Sequence, residues 1–314
     1  MEKNSLIYVA GHTGLIGSAI VRKLEPEGYR NIITRSRAEL DLTDRPKTAD
    51  FFAKEKPEYV FLAAAKVGGI YANSTYPAEF IYENLMIEAN VIDLSFRCGV
   101  KKLIFLSSSC VYPKLCRQPM REDYIMTGAL EPTNEPFGVA KLAGMEMCRA
   151  YNRQYKTNFV PVIAANVYGI NDHLDESSHV AAALIRKFHE AKAKNEKDIV
   201  VWGSGRPKRE FIYADDIADA CLFLMNRYNS NEAINIGTGV ETSIRELAGL
   251  IRDISGFEGK IIYDTAKPDG NPRRFLDTGK IRALGWLAAT PLRKGTELTY
   301  NWYKDLEITA VSKR

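Results

Sequence analysis

Residues 5–17, SLIYVAGHTGLIG, join a short apolar run to a turn that carries three glycines. The apolar run ends at Gly11, and helical spacing of apolar residues begins at Leu15. Backbone N–H groups at such a helix start bind a pyrophosphate, and glycines let it approach closely. The position of this GxxGxxG between a strand and a helix favours a dinucleotide site over a plain tight turn. The residues predicted to form the cofactor loop are Gly11, His12, Thr13, Gly14, Leu15, Ile16 and Gly17.

Apolar runs and helical patterns alternate through the first half of the chain. Strands are predicted at residues 31–34, 59–65, 102–107 and 159–165, and long helices at 79–96 and 137–155. This alternation predicts an α/β fold with a Rossmann-type, doubly wound parallel sheet. We expect a Rossmann domain over residues 1–165, to which 210–236 return. A smaller, interleaved α+β substrate domain is expected over 166–209 and 237–314.

Composition and charge argue against several classes of protein. Of 314 residues, 46% are apolar, and 43 Lys and Arg against 39 Asp and Glu give a net charge of +4. This mild, unclustered surplus predicts no nucleic-acid partner. No apolar run approaches the ~20 residues of a membrane helix and no signal-peptide pattern is present, so we expect a cytoplasmic protein with no membrane partner. The five cysteines form no CxxC pair and the four histidines show no ligand spacing, so neither disulfides nor a metal site is predicted.

The end of the second strand predicts which dinucleotide is bound. An NAD site carries an acidic residue there for the ribose hydroxyls, whereas residues 34–37 of this chain read TRSR. A guanidinium in that place binds a 2′-phosphate well, so we predict NADP(H) as the cofactor. Solvated surface arginines are the alternative interpretation, which is more credible for Arg35 than for Arg37. Asp41 and Leu42 are then expected along the adenine edge.

A second group of residues resembles the reactive centre of the short-chain dehydrogenase/reductase superfamily. A buried strand ends in Ser107-Ser108-Ser109, and Lys141 follows with an aromatic residue four positions before it. In such a centre a phenol gives a proton to a carbonyl oxygen as hydride reaches the carbon. The lysine one helical turn away lowers the pKa of the phenol and holds the nicotinamide ribose. The glycine spacing and the chain length fit the extended branch of the superfamily.

Position 137, where this resemblance implies a tyrosine, is Phe137, and a phenyl ring has no proton to give. Three interpretations compete: a shifted register, a chain that has abandoned reduction, and a tyrosine that has been replaced by phenylalanine. Residues 131–136, EPTNEP, fit the start of this helix, and the rest of the centre is intact. We therefore favour a replacement and expect strongly reduced activity.

Longer segments resemble one family, the GDP-L-fucose synthases, which are epimerase/reductases. These segments are residues 63–70 (AAAKVGGI), 76–81 (YPAEFI), 108–114 (SSCVYPK), 131–136, 201–205 (VWGSG), 209–211 (REF) and 267–270 (KPDG). The resemblance implies a homodimer that uses NADPH and acts on a GDP-linked 4-keto-6-deoxy sugar. The implied reactions are epimerisation at C3 and C5 and reduction at C4, from GDP-4-keto-6-deoxy-D-mannose to GDP-L-fucose.

The functional residues of that family match positions of this chain. The catalytic set matches Ser108, Cys110, Phe137, Lys141 and His179. A 4-ketone acidifies the hydrogens on C3 and C5, and a thiol and an imidazole both exchange protons near neutral pH. The substrate set matches Lys187, Trp202, Arg209 and Asp269, with Arg274 as a further phosphate ligand. Besides the glycine loop and Arg37, the cofactor set matches Asp41, Leu42, Ala63, Ala64, Ala65, Leu106, Ser107, Lys141, Ala164, Asn166, Val167 and His179.

Several positions depart from the family pattern and keep alternatives open. Thr13 and Lys187 stand where arginines are implied, and the loop 169–178 differs, which leaves the identity of the sugar open. The nearest alternative is a sister enzyme on another GDP-4-keto sugar, from a 6-deoxyheptose or colitose pathway. A non-catalytic NADP(H)-binding protein is a more distant one. Trp202 as a core aromatic and Asp269 as a turn residue are the structural alternatives for those two positions.

Overall fold

A six-stranded parallel sheet forms the first layer of the protein. The computed structural model describes residues 1–172, 178–267, 269 and 271–311. The strands are β1 (Ile7–Ala10), β2 (Ile32–Ile33), β3 (Tyr59–Leu62), β4 (Lys102–Ser108), β5 (Phe159–Ala164) and β9 (Ile234–Ile236). Their order across the sheet is β2-β1-β3-β4-β5-β9. β1, β4 and β5 are buried along nearly their whole length, as strands covered on both faces must be.

Helices cover both faces of this sheet. They are α1 (Leu15–Leu24), α2 (Arg45–Glu55), α3 (Ile70–Thr75), α4 (Pro77–Arg97), α5 (Glu135–Tyr155) and α7 (Ala214–Arg227), with 3-10 turns at Ser109–Val111, Glu122–Tyr124 and Pro132–Asn134. α1 packs against α7, while α4 packs against both α2 and α5. The predicted doubly wound Rossmann-type fold is confirmed.

The strand order places a crevice at the carboxyl ends of β1 and β3. The chain leaves β1 towards β2 on one side, and β3 pairs with β1 on the other. Ala10 and Leu62 are register partners, so the chain leaves both strands side by side. In open α/β sheets such a reversal of direction is where ligands bind.

The second layer is built from shorter strands and three longer helices. Its elements are β6 (Asn166–Tyr168), α6 (Val180–Ala193), β7 (Asp198–Trp202), β8 (Lys208–Tyr213), β10 (Glu241–Ser243), α8 (Ile244–Ser255), β11 (Lys260–Asp264), β12 (Arg273–Arg274) and α10 (Leu292–Val311). The short helix α9 (Gly279–Ala283) packs against β9 of the first layer. β8 pairs with β6, β10 and β12, and β7 pairs with β11. A separate apolar cluster that includes Phe188, Leu247 and Tyr300 holds α6, α8 and α10 together. Within the described ranges, no helix is long and apolar enough to cross a membrane.

The strand pairing of residues 210–213 differs from the expectation. Residues 210–213 were expected to return to the Rossmann sheet, but they belong to β8 in the second layer. The apolar run that ends this strand suits either sheet, so the sequence did not distinguish the partners. α7 packs against α1 of the first layer, and β9 pairs with β5. The remaining boundaries stay a prediction.

Candidate active site

The glycine turn fits a bound dinucleotide. Gly11 has φ +86°, and a Cβ there would lie 2.7 Å from the Ala64 backbone. A Cβ at Gly17 would lie 2.0 Å from the Gly11 carbonyl oxygen, so the packing of the protein itself requires both glycines. Gly14, the N-cap of α1, is different because its Cβ would meet only that oxygen, at 3.6 Å. The open side of Gly14 and a first helical turn without acidic residues suit an anion.

His12 gives this turn an unused polar atom. Its Nδ1 is buried and has no hydrogen-bond partner among the described residues. Buried ring nitrogens normally have a partner, so this atom is consistent with a site completed by a ligand. Thr13 lies beside it in the same turn, where the family pattern implies an arginine.

The two arginines after β2 differ in their surroundings. Arg35 forms an ion pair with Glu55 at 2.9 Å and lies over the Phe51 ring, 5.5 Å from its centre. The Arg37 side chain is 67% exposed, and its guanidinium lies 3.6 Å from Asp41 and 3.1 Å from Glu83. Arg37 is therefore the more exposed of the two arginines, while Arg35 is held against the protein.

A buried asparagine holds the segment after β3 beside the glycine turn. Asn84 of α4 accepts a hydrogen bond from Lys66 N at 2.9 Å and donates one to Lys66 O at 3.0 Å. These bonds hold the segment after β3, in which Ala63 donates from its backbone to Ala10 O at 3.0 Å. Ala63 and Ala64 consequently lie against Gly11, and Ala65 follows them in the chain. The other predicted cofactor residues lie on β4 (Leu106, Ser107), at the end of β5 (Ala164) and on β6 (Asn166, Val167).

Ser108 and Cys110 lie at the carboxyl end of β4. Ser108 ends the strand, and Cys110 follows in a 3-10 turn with 3% of its surface exposed. Burial raises the pKa of the Cys110 thiol, and the Arg274 charge and a hydrogen bond from Ser108 offset this only in part. Near neutral pH the Cys110 side chain therefore carries its proton.

Lys141 reaches the same strand end from α5. Its Nζ lies 3.0 Å from Glu88 Oε1 of α4, with the two side chains 4% and 2% exposed. The ammonium also lies 4.9 Å from the centre of the Phe105 ring and 5.7 Å from that of Phe137. Phe137 thus lies one helical turn before Lys141 and beside its charge. This arrangement is the one that the unshifted register predicts, and the role of position 137 stays a prediction.

Two arginines lie side by side, and among the described residues neither forms an ion pair with an acid. Arg274 of β12 and Arg209 of β8 are register partners on parallel strands. Arg209 donates to the backbone oxygens of Lys208 and Asn271 at 2.8 and 2.6 Å, and Arg274 donates to Ser109 O at 3.1 Å. Burial and the charge of Arg274 lower the pKa of Arg209 to about 10, and burial lowers that of Arg274 as well. Like charges opposite each other destabilise a sheet, so this pair is suited to an anionic ligand.

The other predicted substrate residues lie on the second layer. Trp202 ends β7 with 71% of its surface exposed and Lys267 Nζ 5.4 Å from its ring, so it is not a core aromatic. Asp269 accepts hydrogen bonds from Ser204 N and Oγ at 2.8 and 2.7 Å, which fixes the turn after Gly203. Lys187 donates to Val200 O, and His179 is the N-cap of α6. Residues 173–177 of the departing loop, and positions 268 and 270, lie outside the described residues.

Sequence reasoning missed two buried polar residues of α4 that lie near the site. Asn84 and Glu88 are four positions apart and share one helix face. They interrupt an otherwise apolar stretch, and that spacing is the signal that identifies them. One orders the chain beside the glycine turn, and the other faces Lys141.

Comparison with known proteins agrees with this geometry. The pattern of the NAD dependent epimerase/dehydratase family matches residues 7–237. The chain belongs to this family. GDP-L-fucose synthase 1 from Arabidopsis thaliana is 52% identical over 303 residues, 96% of this chain and 94% of that protein. GDP-L-fucose synthase from Escherichia coli strain K12 is 48% identical over 307 residues, 95% of this chain and 96% of that protein.

A solved structure extends the family comparison to the fold. The crystal structure of a GDP-D-glycero-L-gluco-heptose synthase from Campylobacter jejuni, in the presence of NADPH, has a TM-score of 0.91 at 39% identity. It covers 97% of this chain and 99% of that one. The resemblance to the GDP-L-fucose synthases within the family is confirmed.

Proposed function

We propose that the chain is an NADP(H)-dependent epimerase/reductase that converts GDP-4-keto-6-deoxy-D-mannose to GDP-L-fucose. Phe137 replaces the phenol that the reduction requires. The observation that carries this proposal is the meeting of three kinds of group at the end of β4. Ser108 and Cys110 supply the hydroxyl and thiol, Lys141 supplies an ammonium, and Arg274 is the nearest member of the arginine pair.

In this proposal the cofactor is held by the glycine turn, Arg37 and Lys141. The open side of Gly14 and the start of α1 face the pyrophosphate, and Arg37 binds the 2′-phosphate. Lys141 holds the nicotinamide ribose through its ammonium. NADPH, when bound, supplies the hydride that C4 of the sugar receives.

The substrate is recognised through its charge and its ketone. Arg209 and Arg274 bind the diphosphate, and Trp202 packs on the base or sugar. Ser108 donates a hydrogen bond to the C4 oxygen, which stabilises the negative charge that develops there when a proton leaves C3 or C5. Cys110 begins as a thiol and so serves first as the acid, with His179 as the partner group.

Phe137 separates the two halves of the reaction. Reduction needs a full proton at the C4 oxygen, and the phenyl ring has none to give. Epimerisation needs only that the oxygen be stabilised, which Ser108 still does in part. We therefore expect reduction to suffer more than proton exchange, with the loss of a general acid lowering turnover ~10²–10⁴-fold.

The test is turnover by the Phe137→Tyr protein with NADPH and a set of GDP-4-keto sugars. We expect oxidation of NADPH with GDP-4-keto-6-deoxy-D-mannose, and GDP-L-fucose as the product identified by NMR. The similarity to the heptose synthase supports a second candidate, a sister enzyme on a GDP-4-keto heptose. Faster turnover of the heptose substrate would establish that candidate. If Phe137→Tyr reduced none of them, the chain would be a non-catalytic NADP(H)-binding protein.

We also propose a homodimer in the cytoplasm. Three tyrosines close together in sequence are 50–70% exposed: Tyr71 in α3, Tyr76 between the helices and Tyr82 in α4. Exposed aromatic side chains of this kind favour an interface. All five cysteines are free thiols, which is typical of a reducing compartment. Light scattering after size-exclusion chromatography tests the dimer, and Tyr82→Glu should shift it towards monomer.

A further inference from the structure

The lysine of the reactive centre is paired with a carboxylate that the proposed chemistry does not use. Glu88 Oε1 lies 3.0 Å from Lys141 Nζ, and both side chains are almost wholly buried. Within the described ranges, Lys141 is the ion-pair partner of Glu88, and no second cation pairs with it. Burial raises the pKa of Glu88, and the charge of Lys141 opposes that rise. The ammonium of Lys141 therefore favours the carboxylate form of Glu88.

The helix that carries Lys141 is shaped to admit this carboxylate. Gly144 lies one turn after the lysine, and a Cβ there would lie 2.5 Å from Glu88 Oε2 and 2.5 Å from Phe105 Cζ. Any larger residue at this position would displace Glu88 or the aromatic ring. The glycine therefore creates the space in which the ion pair forms, at some loss of helix propensity.

The other groups that face the pair carry no charge near neutral pH. These groups are Cys110 of the 3-10 turn, Cys148 of α5 and the ring of Phe105 of β4. Burial raises the pKa of both thiols, that of Cys148 with help from the Glu88 charge, so both are protonated. Among the described residues Glu88 is thus the group that balances the ammonium of Lys141.

We propose that Glu88 is a positioning residue that keeps Lys141 charged and directed at the nicotinamide ribose. This inference rests on the proposed function, in which Lys141 holds that ribose. An ammonium buried among aromatic rings loses its charged form readily when no counter-ion is present. An ammonium also has three donors, so one N–H directed at Glu88 leaves two for the ribose and for a phenol at position 137.

The test is the pH dependence of NADPH binding, measured by fluorescence titration between about pH 6 and pH 10. This chain suits the test because Phe137 removes the phenol that would titrate in the same range. We expect the dissociation constant of the parent to change little with pH. For Glu88→Gln we expect a dissociation constant near that of the parent at the acidic end of this range. At the alkaline end we expect binding to be about tenfold weaker or more, because one charge-assisted contact is lost.

Two further variants separate charge from shape. Glu88→Asp keeps the carboxylate and should give a level profile, even if binding is weaker throughout. Glu146→Gln removes an exposed carboxylate of the same helix, 3.2 Å from Arg149, and should match the parent. A level profile for Glu88→Gln would overturn the inference.

Two outcomes remain decisive if Glu88→Gln does not fold. A parent whose affinity already falls with rising pH, or a Glu88→Asp profile that falls as well, would contradict the inference by itself. A level parent and a level Glu88→Asp would support it. A parent that binds no NADPH at any pH would contradict the proposed function itself, which distinguishes the two failures.

Discussion

Replacing Arg209 by methionine should leave the unliganded protein as stable as before or slightly more stable, while it weakens the binding of GDP. Burial and the charge of Arg274 lower the pKa of Arg209 from its ordinary value to about 10. At ~1.4 kcal/mol per pH unit, the fold destabilises the charged form of this arginine by about 3 kcal/mol. Its two hydrogen bonds to backbone oxygens return ~1 kcal/mol each. Removing the guanidinium should therefore stabilise the protein by about 1 kcal/mol, or about 2 °C in melting temperature.

The same change should remove one charge-assisted contact to the diphosphate. Such a contact is worth ~1.5–3 kcal/mol, so the dissociation constant for GDP should rise ~10- to 150-fold. Guanosine lacks the diphosphate, and its affinity should not change. The control is Arg273→Met. Arg273 precedes Arg274 on β12 and donates hydrogen bonds to Glu241 from Nε and Nη2.

Thermal melts with and without GDP, together with calorimetric titration, measure both effects. Arg273→Met should lose stability and keep its GDP affinity, the reverse of Arg209→Met. If Arg209→Met melted several degrees lower and bound GDP like the parent, the arginine pair would be structural and the diphosphate site would lie elsewhere.

Three further predictions rest on single contacts. Gly144→Ala should lose ~1–3 kcal/mol in chemical denaturation, whereas Gly249→Ala, whose Cβ would meet nothing within 4 Å, should be neutral or stabilising. Arg37→Ala should weaken NADPH binding ~10- to 150-fold and leave NADH binding unchanged. Arg35→Ala should keep the preference for NADPH over NADH, and titration with both cofactors measures these effects. At pH ~8.5 alkylation of Cys110 should be slower than that of a free thiol, and it should accelerate only at higher pH, because the raised pKa keeps the Cys110 thiol protonated. Full modification at neutral pH, measured by mass spectrometry, would contradict this.

The first layer follows from local sequence patterns. The glycine turn and the apolar runs identify β1, α1, β3 and β4, and the long helices begin and end within two residues of the predicted bounds, as α4 does at Pro77–Arg97 against 79–96. Strong periodicity and a buried parallel sheet leave few alternatives at these positions. The positions of Lys141 on α5 and of Ser108 at the end of β4 were predictable for the same reason, since each has a fixed place on such an element.

The second layer depends on contacts between distant parts of the chain. β7 and β11 pair in register although about sixty residues separate them, and neither signals its partner. α10 was not predicted, because Gly295 weakens its helical pattern. The structure gives the reason for that glycine, whose Cβ would lie 2.3 Å from the Tyr168 hydroxyl. The arginine pair and the Glu88–Lys141 pair likewise depend on how separate elements come together.

Solvent deuterium incorporation into GDP-4-keto-6-deoxy-D-mannose, followed by NMR in D₂O, tests the central claim most directly. The claim is that the C4 ketone of the sugar, bound in one site, undergoes both proton exchange at the neighbouring carbons and reduction, and that Phe137 blocks mainly the reduction. We predict slow incorporation by this chain, ~10²–10³-fold below that of Phe137→Tyr because one donor to the C4 oxygen is missing. We also predict no appreciable 4-hydroxy product with NADPH, and a further fall in exchange for Cys110→Ser. Exchange at the full Phe137→Tyr rate, or exchange that does not depend on Cys110, would contradict the roles assigned to these two positions.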